Sequence, residues 1–369
     1  MIPIAYTGVI SAYDKFCQEF HKKLEKVITQ GYIGNRAKTT VKEAKVYYQT
    51  LTPEQKSLFD KHVGNGKKDW KVLSDTTNVL APVEMLDAES MCAIRLYWVL
   101  FDEIVNAKDD IMQFLMPYYR LYMIKAKDRQ KVYANLKSLL IDYGYEKQLP
   151  KEALFRAINA RVCPYCNRVF VEAVDGTTKT VKGQLDHFYP KEKYPFLALS
   201  KYNLVPSCTY CNGPTGKHNA DPRIEHLVNP HFMKDSRGLV FRANVPRRGF
   251  LNLKTLEKAI DIELDTSGIP NMDNNIRIFN LDKLYDTHKD YAAEVYYKYM
   301  KMKSKAYRDF ATRMTRPSRN PARNVVLQIP FNDWLRLILG VYIKTEEQAN
   351  RPLSKFVADL YDDFRSKGY

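Results

Sequence analysis

The chain has 369 residues, of which 45% are apolar and 12% aromatic, and its 58 Lys and Arg against 42 Asp and Glu leave a net charge of +16 with a pI near 9.3. That length exceeds what one hydrophobic core usually serves, and the apolar content with a mean hydropathy of −0.44 excludes a disordered chain. The positive charge points to a polyanion as partner, nucleic acid first.

The amino-terminal Met1-Ile2-Pro3-Ile4-Ala5-Tyr6 lacks the basic start and apolar core of an export signal. The most apolar stretch, Leu96-Tyr97-Trp98-Val99-Leu100-Phe101, falls far short of the ~20 residues of a membrane span. Six cysteines, four of them in two Cys-x-x-Cys pairs, suit a reducing cytoplasm and thiolate metal binding rather than a disulfide framework. The expected location is therefore cytoplasmic, without a membrane. Cys17 and Cys92 fall in apolar helical patterns and are expected to be buried and inert.

Residues 8 to about 150 read as helical. Phe16, Phe20, Leu24 and Val27 recur at intervals of three and four, as one helix face requires. Thr52-Pro53-Glu54-Gln55 has the form of a capping box. Helices are expected over Ala88–Ala107, Asp109–Lys125 and Arg129–Tyr143, the second kinked at Pro117. Near residue 150 the pattern changes. Residues 168–174 and Thr178–Leu185 read as two strands joined by a turn at Asp175-Gly176, so that a hairpin delivers Asp186-His187 at its exit. A long loop from Tyr189 to Pro206 and a short helix opening at Cys208 follow, in the order strand, strand, loop, helix.

Beyond residue 237 short strands are expected at Leu239–Val245 and Asp261–Leu264, then helices at Leu281–Met314, Asn332–Gly340 and Leu353–Phe364. Between Lys301 and Arg323 lie eight Lys and Arg against one Asp, a run able to clamp a phosphate backbone or simply to face water. Tyrosines interleaved with basic residues, as in Tyr118–Tyr122 and Tyr297–Lys301, can stack bases and pair phosphates, but such mixtures are more often helix faces that bury a ring and expose a charge. The organisation is a helical region over 1–150, a central unit over 151–236 and a mixed, mostly helical region over 237–369. The fold class is α+β, mainly helical.

The chemistry concentrates in the central unit. Cys163-Pro164-Tyr165-Cys166 and Cys208-Thr209-Tyr210-Cys211 are two knuckles forty-one residues apart, and four thiolates close a tetrahedral Zn2+ site with no position left for water. Between and behind them stand Asp186-His187, then Asn203 sixteen positions on, then Asn212 directly after the second knuckle. His187, with an imidazole neutral near cellular pH, can serve as a general base, and Asp186 and Asn212 offer hard oxygen ligands.

These residues, with Leu185-Asp186-His187-Phe188-Tyr189-Pro190-Lys191, Tyr194-Pro195 and Asn203-Leu204-Val205-Pro206-Ser207-Cys208, resemble the HNH, or ββα-metal, nuclease family. The likeness is greatest to the HNH subunits of Septu-type and retron-linked bacterial defence systems. It covers roughly residues 155–235, with a fainter echo at Asn280-Leu281. It implies a metal-dependent endonuclease acting on DNA or a structured RNA and leaving 5′-phosphate and 3′-hydroxyl ends. In that pattern His187 is the base, Asn203 fixes the loop that orients it, and Asp186 and Asn212 hold Mg2+ or Mn2+. It also implies a defence role alongside a partner ATPase. Many relatives carry Lys two residues beyond the Cys-Asn pair, whereas here Gly213-Pro214-Thr215-Gly216 intervenes before Lys217-His218. That insertion puts Lys217 in question as a phosphate contact beside Lys191, and makes His218 an alternative last ligand to Asn212. His226 and His231 are expected to be structural. Two other readings stand beside the DNA nuclease: a non-catalytic zinc-ribbon module that binds nucleic acid, and an RNA (tRNA) nuclease gated by a partner ATPase.

Overall fold

The Phe16, Phe20, Leu24, Val27 spacing does form one face: helix α1 (Ser11–Gln30) buries all four together with Tyr13. The chain leaves that helix at Gly31, whose φ of 79° lies in the left-handed region that favours glycine. A computed structural model describes residues 1–33, 85–114, 130–175, 180–181, 183–246, 252–315 and 329–369, with the isolated positions Gln49, Thr52, Pro53 and Lys56. Glu54 and Gln55 of the Thr52 capping box, Pro117, the Tyr118–Tyr122 cluster and the basic residues after Thr315 lie outside these residues.

Asp87 caps the next helix by accepting from Ser90 N at 2.8 Å. The single helix expected over Ala88–Ala107 is two, α2 (Ala88–Val99) and α3 (Phe101–Val105), broken at Leu100. α3 buries Phe101, Ile104 and Val105, which continue at intervals of three and four from the buried Ala93, Ile94 and Tyr97 of α2. Cys17 is half-buried and Cys92 exposed, against the expectation of buried thiols. Helix α4 (Gln130–Leu136) continues as a wider π-helical run over Lys137–Gln148, closed by Leu149 N donating to the Gly144 carbonyl at 2.9 Å. A Cβ at Gly144 would meet Phe20 of α1 at 3.0 Å and Leu199 at 3.1 Å, so the run lies hard against both. Helix α5 (Lys151–Ala157) leads into the central segment.

The expected hairpin is present only as a stub. Among the described residues β1 (Val174–Asp175) and β2 (Thr180–Val181) pair over two residues each, and the expected turn at Gly176 lies outside them. The strand that carries the site, β3 (Gln184–His187), pairs instead with β4 (Leu204–Ser207), in the register Leu185↔Pro206 and His187↔Leu204. The order is therefore strand, loop, strand, helix, with α6 (Thr209–Asn212) following β4. Pro206 makes Leu204–Ser207 read as loop because it has no N–H to give. With one neighbour only, the strand tolerates it, and all four of its residues are buried.

After α7 (Pro222–Glu225), β5 (Val240–Asn244) and β6 (Asp261–Asp265) form a five-residue antiparallel pair around α8 (Leu253–Ala259). The helix expected over Leu281–Met314 is three, α10 (Leu281–Asp286), α11 (Lys289–Met302) and α12 (Lys305–Thr315), preceded by α9 (Met272–Phe279). α13 (Phe331–Leu339) and α14 (Ser354–Lys367) match their expected places closely. The described residues thus make a mainly helical α+β protein with three two-stranded antiparallel sheets.

Buried apolar side chains from Met1 to Phe364 form one continuous cluster. Both flanks bear on the central segment through it. From the amino-terminal side, Tyr13 Oη donates to the Leu199 carbonyl at 2.7 Å, and the Tyr6 ring stacks on His231 at 5.3 Å. From the carboxy-terminal side, Tyr285 Oη donates to the Cys166 carbonyl at 2.5 Å, and Phe241 and Phe356 close around its ring. No helix among the described residues is long and apolar enough to cross a membrane.

Candidate metal centre and nuclease pocket

The two knuckles do what their spacing requires. Cys163, Cys166, Cys208 and Cys211 are buried, and their sulfurs lie within 4.8 Å of one another, Cys166 Sγ to Cys208 Sγ at 3.8 Å. Thiolates ~2.3 Å from a tetrahedral Zn2+ stand roughly 3.8 Å apart, the separation of the Cys166 and Cys208 sulfurs. Burial pushes the Cys163 thiol up, which a dication would reverse by taking four sulfurs as thiolates. Backbone bonds shape each knuckle: Asn167 N donates to the Cys163 carbonyl at 2.7 Å and Asn212 N to the Cys208 carbonyl at 3.0 Å. Asn167, at a φ of 51°, also ties the first knuckle to the carboxy-terminal segment by donating to the Gln348 carbonyl and accepting from Lys355 N.

Beside this centre opens a pocket of about 220 Å³ lined by Tyr145, Asp186, His187, Lys191, Asn212 and His218 among others. His187 ends β3 and is buried, with its Nε2 3.1 Å from the Ala198 carbonyl. A carbonyl only accepts, so Nε2 carries the hydrogen and Nδ1 keeps the basic lone pair. Burial, and after it the positive charge of Lys191, pushes the imidazole down to about 3, so it stands neutral across the cellular pH range. The Tyr145 ring meets it edge-on at 4.4 Å.

Asp186 is 3% exposed, and both its oxygens are engaged: Tyr165 Oη donates to Oδ2 at 2.7 Å and Lys217 Nζ to Oδ1 at 2.9 Å. Lys217 is itself 1% exposed and donates also to the His187 carbonyl at 2.7 Å. Its ammonium points inward at the site's carboxylate, away from solvent. The inserted loop makes this reach possible. Lys217 N donates to the Cys211 carbonyl at 2.8 Å, and a Cβ at Gly216 would sit 2.4 Å from the Tyr210 carbonyl oxygen, so only glycine lets the loop fold back so tightly. Asn280 braces it by donating to the Thr215 carbonyl at 3.0 Å.

Asn203 is fully buried and does not line the pocket. Its Oδ1 accepts from Tyr189 N at 2.7 Å, and its Nδ2 donates to the carbonyls of Tyr189 at 3.1 Å and Leu197 at 3.0 Å. It staples the loop between β3 and β4, the loop that supplies the Ala198 carbonyl to His187. Asn212 does line the pocket and donates to Gln184 Oε1 at 2.9 Å, leaving its own Oδ1 as an acceptor. His218 sits exposed at the rim, with its Nε2 3.3 Å from Asn219 Nδ2. Lys191, also at the rim, pairs with Glu146 at 2.6 Å. Among the described residues the four cysteines are the one group of three or more Cys, His, Asp or Glu gathered closely enough for an ion. The pocket lining instead mixes the carboxylates of Asp186 and Glu192, the amides of Asn212 and Asn219 and the imidazoles of His187 and His218; hard oxygen donors of this kind suit Mg2+, which keeps several waters.

Tyr165, Tyr145, Gln184 and Glu146 carry no motif signal and were missed. Tyr165 alone had a hint, as the aromatic residue inside the first knuckle. His231 is half-buried, with Nε2 3.0 Å from the Leu204 carbonyl of β4, while His226 is an exposed residue in the left-handed region after α7.

No protein-family model matches the chain, and no solved structure does. Two curated proteins match over part of their length. The chain is 38% identical over 80 residues to "Septu protein PtuB" of Bacillus thuringiensis, covering 22% of this chain and 28% of that one. It is 35% identical over 74 residues to "Protein ea31" of Escherichia phage lambda, covering 20% of this chain and 22% of that one. The chain thus spans about a quarter of the length of the curated relatives it matches. Over that stretch it is similar to a Septu protein.

Proposed function

We propose that this protein is a metal-dependent HNH endonuclease that hydrolyses phosphodiester bonds of nucleic acid, DNA before RNA, as an effector of a bacterial antiphage defence system. The observation that carries the reading is His187: its Nε2 is committed to a backbone carbonyl, and its neutral ring borders a pocket shared with Asp186 and Asn212. The strand, loop, strand, helix order and the partial identity with a Septu protein support it.

In this reading His187 Nδ1 takes the proton of the attacking water as its oxygen bonds to phosphorus and the bond to the 3′ oxygen breaks, leaving 5′-phosphate and 3′-hydroxyl ends. Asp186 and Asn212, with His218 at the rim, would hold a Mg2+ or Mn2+ ion, whose Lewis acidity would supply charge stabilisation at the phosphoryl group. Asn203 positions His187 without touching substrate. The net charge of +16 supplies affinity for the backbone and no base information.

The test is a Mg2+-dependent cleavage assay on plasmid, single-stranded DNA and tRNA, comparing wild type with His187→Ala. The variant is expected to lose ~10²–10⁴-fold in rate with zinc content and fold unchanged. Equal cleavage by both proteins would sink the assignment. Metal-independent binding without product from either would favour the non-catalytic zinc-ribbon module.

A further inference from the structure

We infer that the cysteine centre does more than hold the fold: it is the device that positions Asp186, through Tyr165 on one knuckle and Lys217 on the other. Each carboxylate oxygen has one buried partner, and each partner is anchored to a different Cys-x-x-Cys pair. Tyr165 lies between Cys163 and Cys166. It is fully buried, its ring is stacked on Phe279 at 4.3 Å, and its hydroxyl donates to Oδ2 at 2.7 Å. Lys217 is fixed by its own N–H on the Cys211 carbonyl at 2.8 Å and sends its ammonium to Oδ1 at 2.9 Å.

Nothing in the zinc chemistry demands this. A knuckle needs its cysteines and a tight turn, and a Phe at position 165 would keep the stacking and the burial. The hydroxyl is there for Asp186. A carboxylate held by two rigid donors presents its remaining lone pairs in a fixed direction, and such outer partners set the affinity and geometry of a ligand. The two metal centres are then thermodynamically coupled: whatever loosens the knuckles loosens Asp186, and the loss of Asp186 must loosen the knuckles in turn. That Asp186 binds a catalytic cation rests on the proposed function; the coupling between Asp186 and the cysteine centre does not.

Two measurements on the full chain, purified with its zinc, separate these. The first is the rate of zinc transfer to a chromogenic chelator for wild type, Tyr165→Phe and Asp186→Ala. Both variants are expected to release zinc at least several-fold faster, and a rate equal to wild type in both would overturn the coupling. The second is Mn2+ binding to the zinc-loaded protein by electron paramagnetic resonance. Tyr165→Phe is expected to weaken Mn2+ by about 10–100-fold while its zinc stoichiometry and thermal midpoint stay close to wild type. Unaltered Mn2+ affinity in Tyr165→Phe would remove the positioning role, whereas a wild type that binds no Mn2+ but shows the faster zinc release in its variants would retain the coupling and sink the nuclease reading alone.

Discussion

The two centres a few residues apart in this chain are built on opposite principles. The cysteine centre draws all its donors from two short motifs of one residue type, buries them, and leaves no position open. The pocket draws on β3, α6, the inserted loop and the π-helical run, mixes carboxylates with amides and imidazoles, and stays open to solvent. A closed site is complete in its own ligands. An open one depends on neighbours to hold each ligand in place, and here those neighbours are Tyr165, Lys217, Gln184, the Ala198 carbonyl and Asn203.

The comparison breaks most sharply if the closed site is emptied. Structural zinc in small sites contributes ~10–16 kcal/mol, more than a typical domain has to spare. Removing zinc with a strong chelator is expected to unfold the central segment, seen as lost near-ultraviolet circular dichroism and rapid proteolysis between Cys163 and Cys211. A metal-free chain with an unchanged thermal midpoint would refute a structural role for the cysteines.

The next effect belongs to the open site. Lys217 and Asp186 are 0% and 3% exposed at their side chains, and removing one partner of such a pair strands the other charge at a cost of about 3–5 kcal/mol. Lys217→Met should lose stability of that order in denaturant unfolding, and adding Asp186→Asn should recover part of it, because both charges are then gone. A single variant within ~0.5 kcal/mol of wild type would mean that the ammonium has another outlet.

These expectations also mark what could be read from the chain alone. The knuckles and the Asp186-His187 pair were legible because their chemistry depends on residues adjacent or three apart, where the backbone leaves little freedom. The α1 face was legible for the same reason. The partner of β3 was not, since pairing across seventeen residues is decided by burial, and Pro206 disguises β4 as loop. The direction of Lys217 is not legible because it depends on a turn that closes only if Gly216 lies against the α6 carbonyls. The π-helical run lies hard against α1 through Gly144 and Phe20, a tertiary contact that no local period reveals.

Asn203 sharpens the comparison at a smaller scale. Asn203→Ala leaves the Tyr189 N–H and two carbonyls without their partner, for about 1–3 kcal/mol per stranded group. If its task is to hold the loop that orients His187, cleavage should fall in kcat with KM little changed and with Mn2+ binding intact. A rise in KM alone would make it a substrate contact instead.

The smallest effect is expected at Lys191, where the pocket meets solvent. Its ammonium pairs with Glu146 at 2.6 Å, a partly exposed contact of the kind worth about 0–1 kcal/mol, so Lys191→Ala should barely change stability. Glu146 has a second cation in Lys151 at 2.9 Å, and its carboxyl is held below the usual range by the two lysines despite partial burial. Lys191 can therefore leave Glu146 for a phosphate without stranding a charge, which the buried Lys217 cannot do for Asp186. The measurement is the slope of log binding constant against log salt for duplex DNA: losing one phosphate contact should reduce it by about 0.9. Lys191→Ala is expected to show that drop and Lys217→Met to show none. The reverse result would turn Lys217 outward in the bound state and make the Asp186 pair the latch that substrate opens.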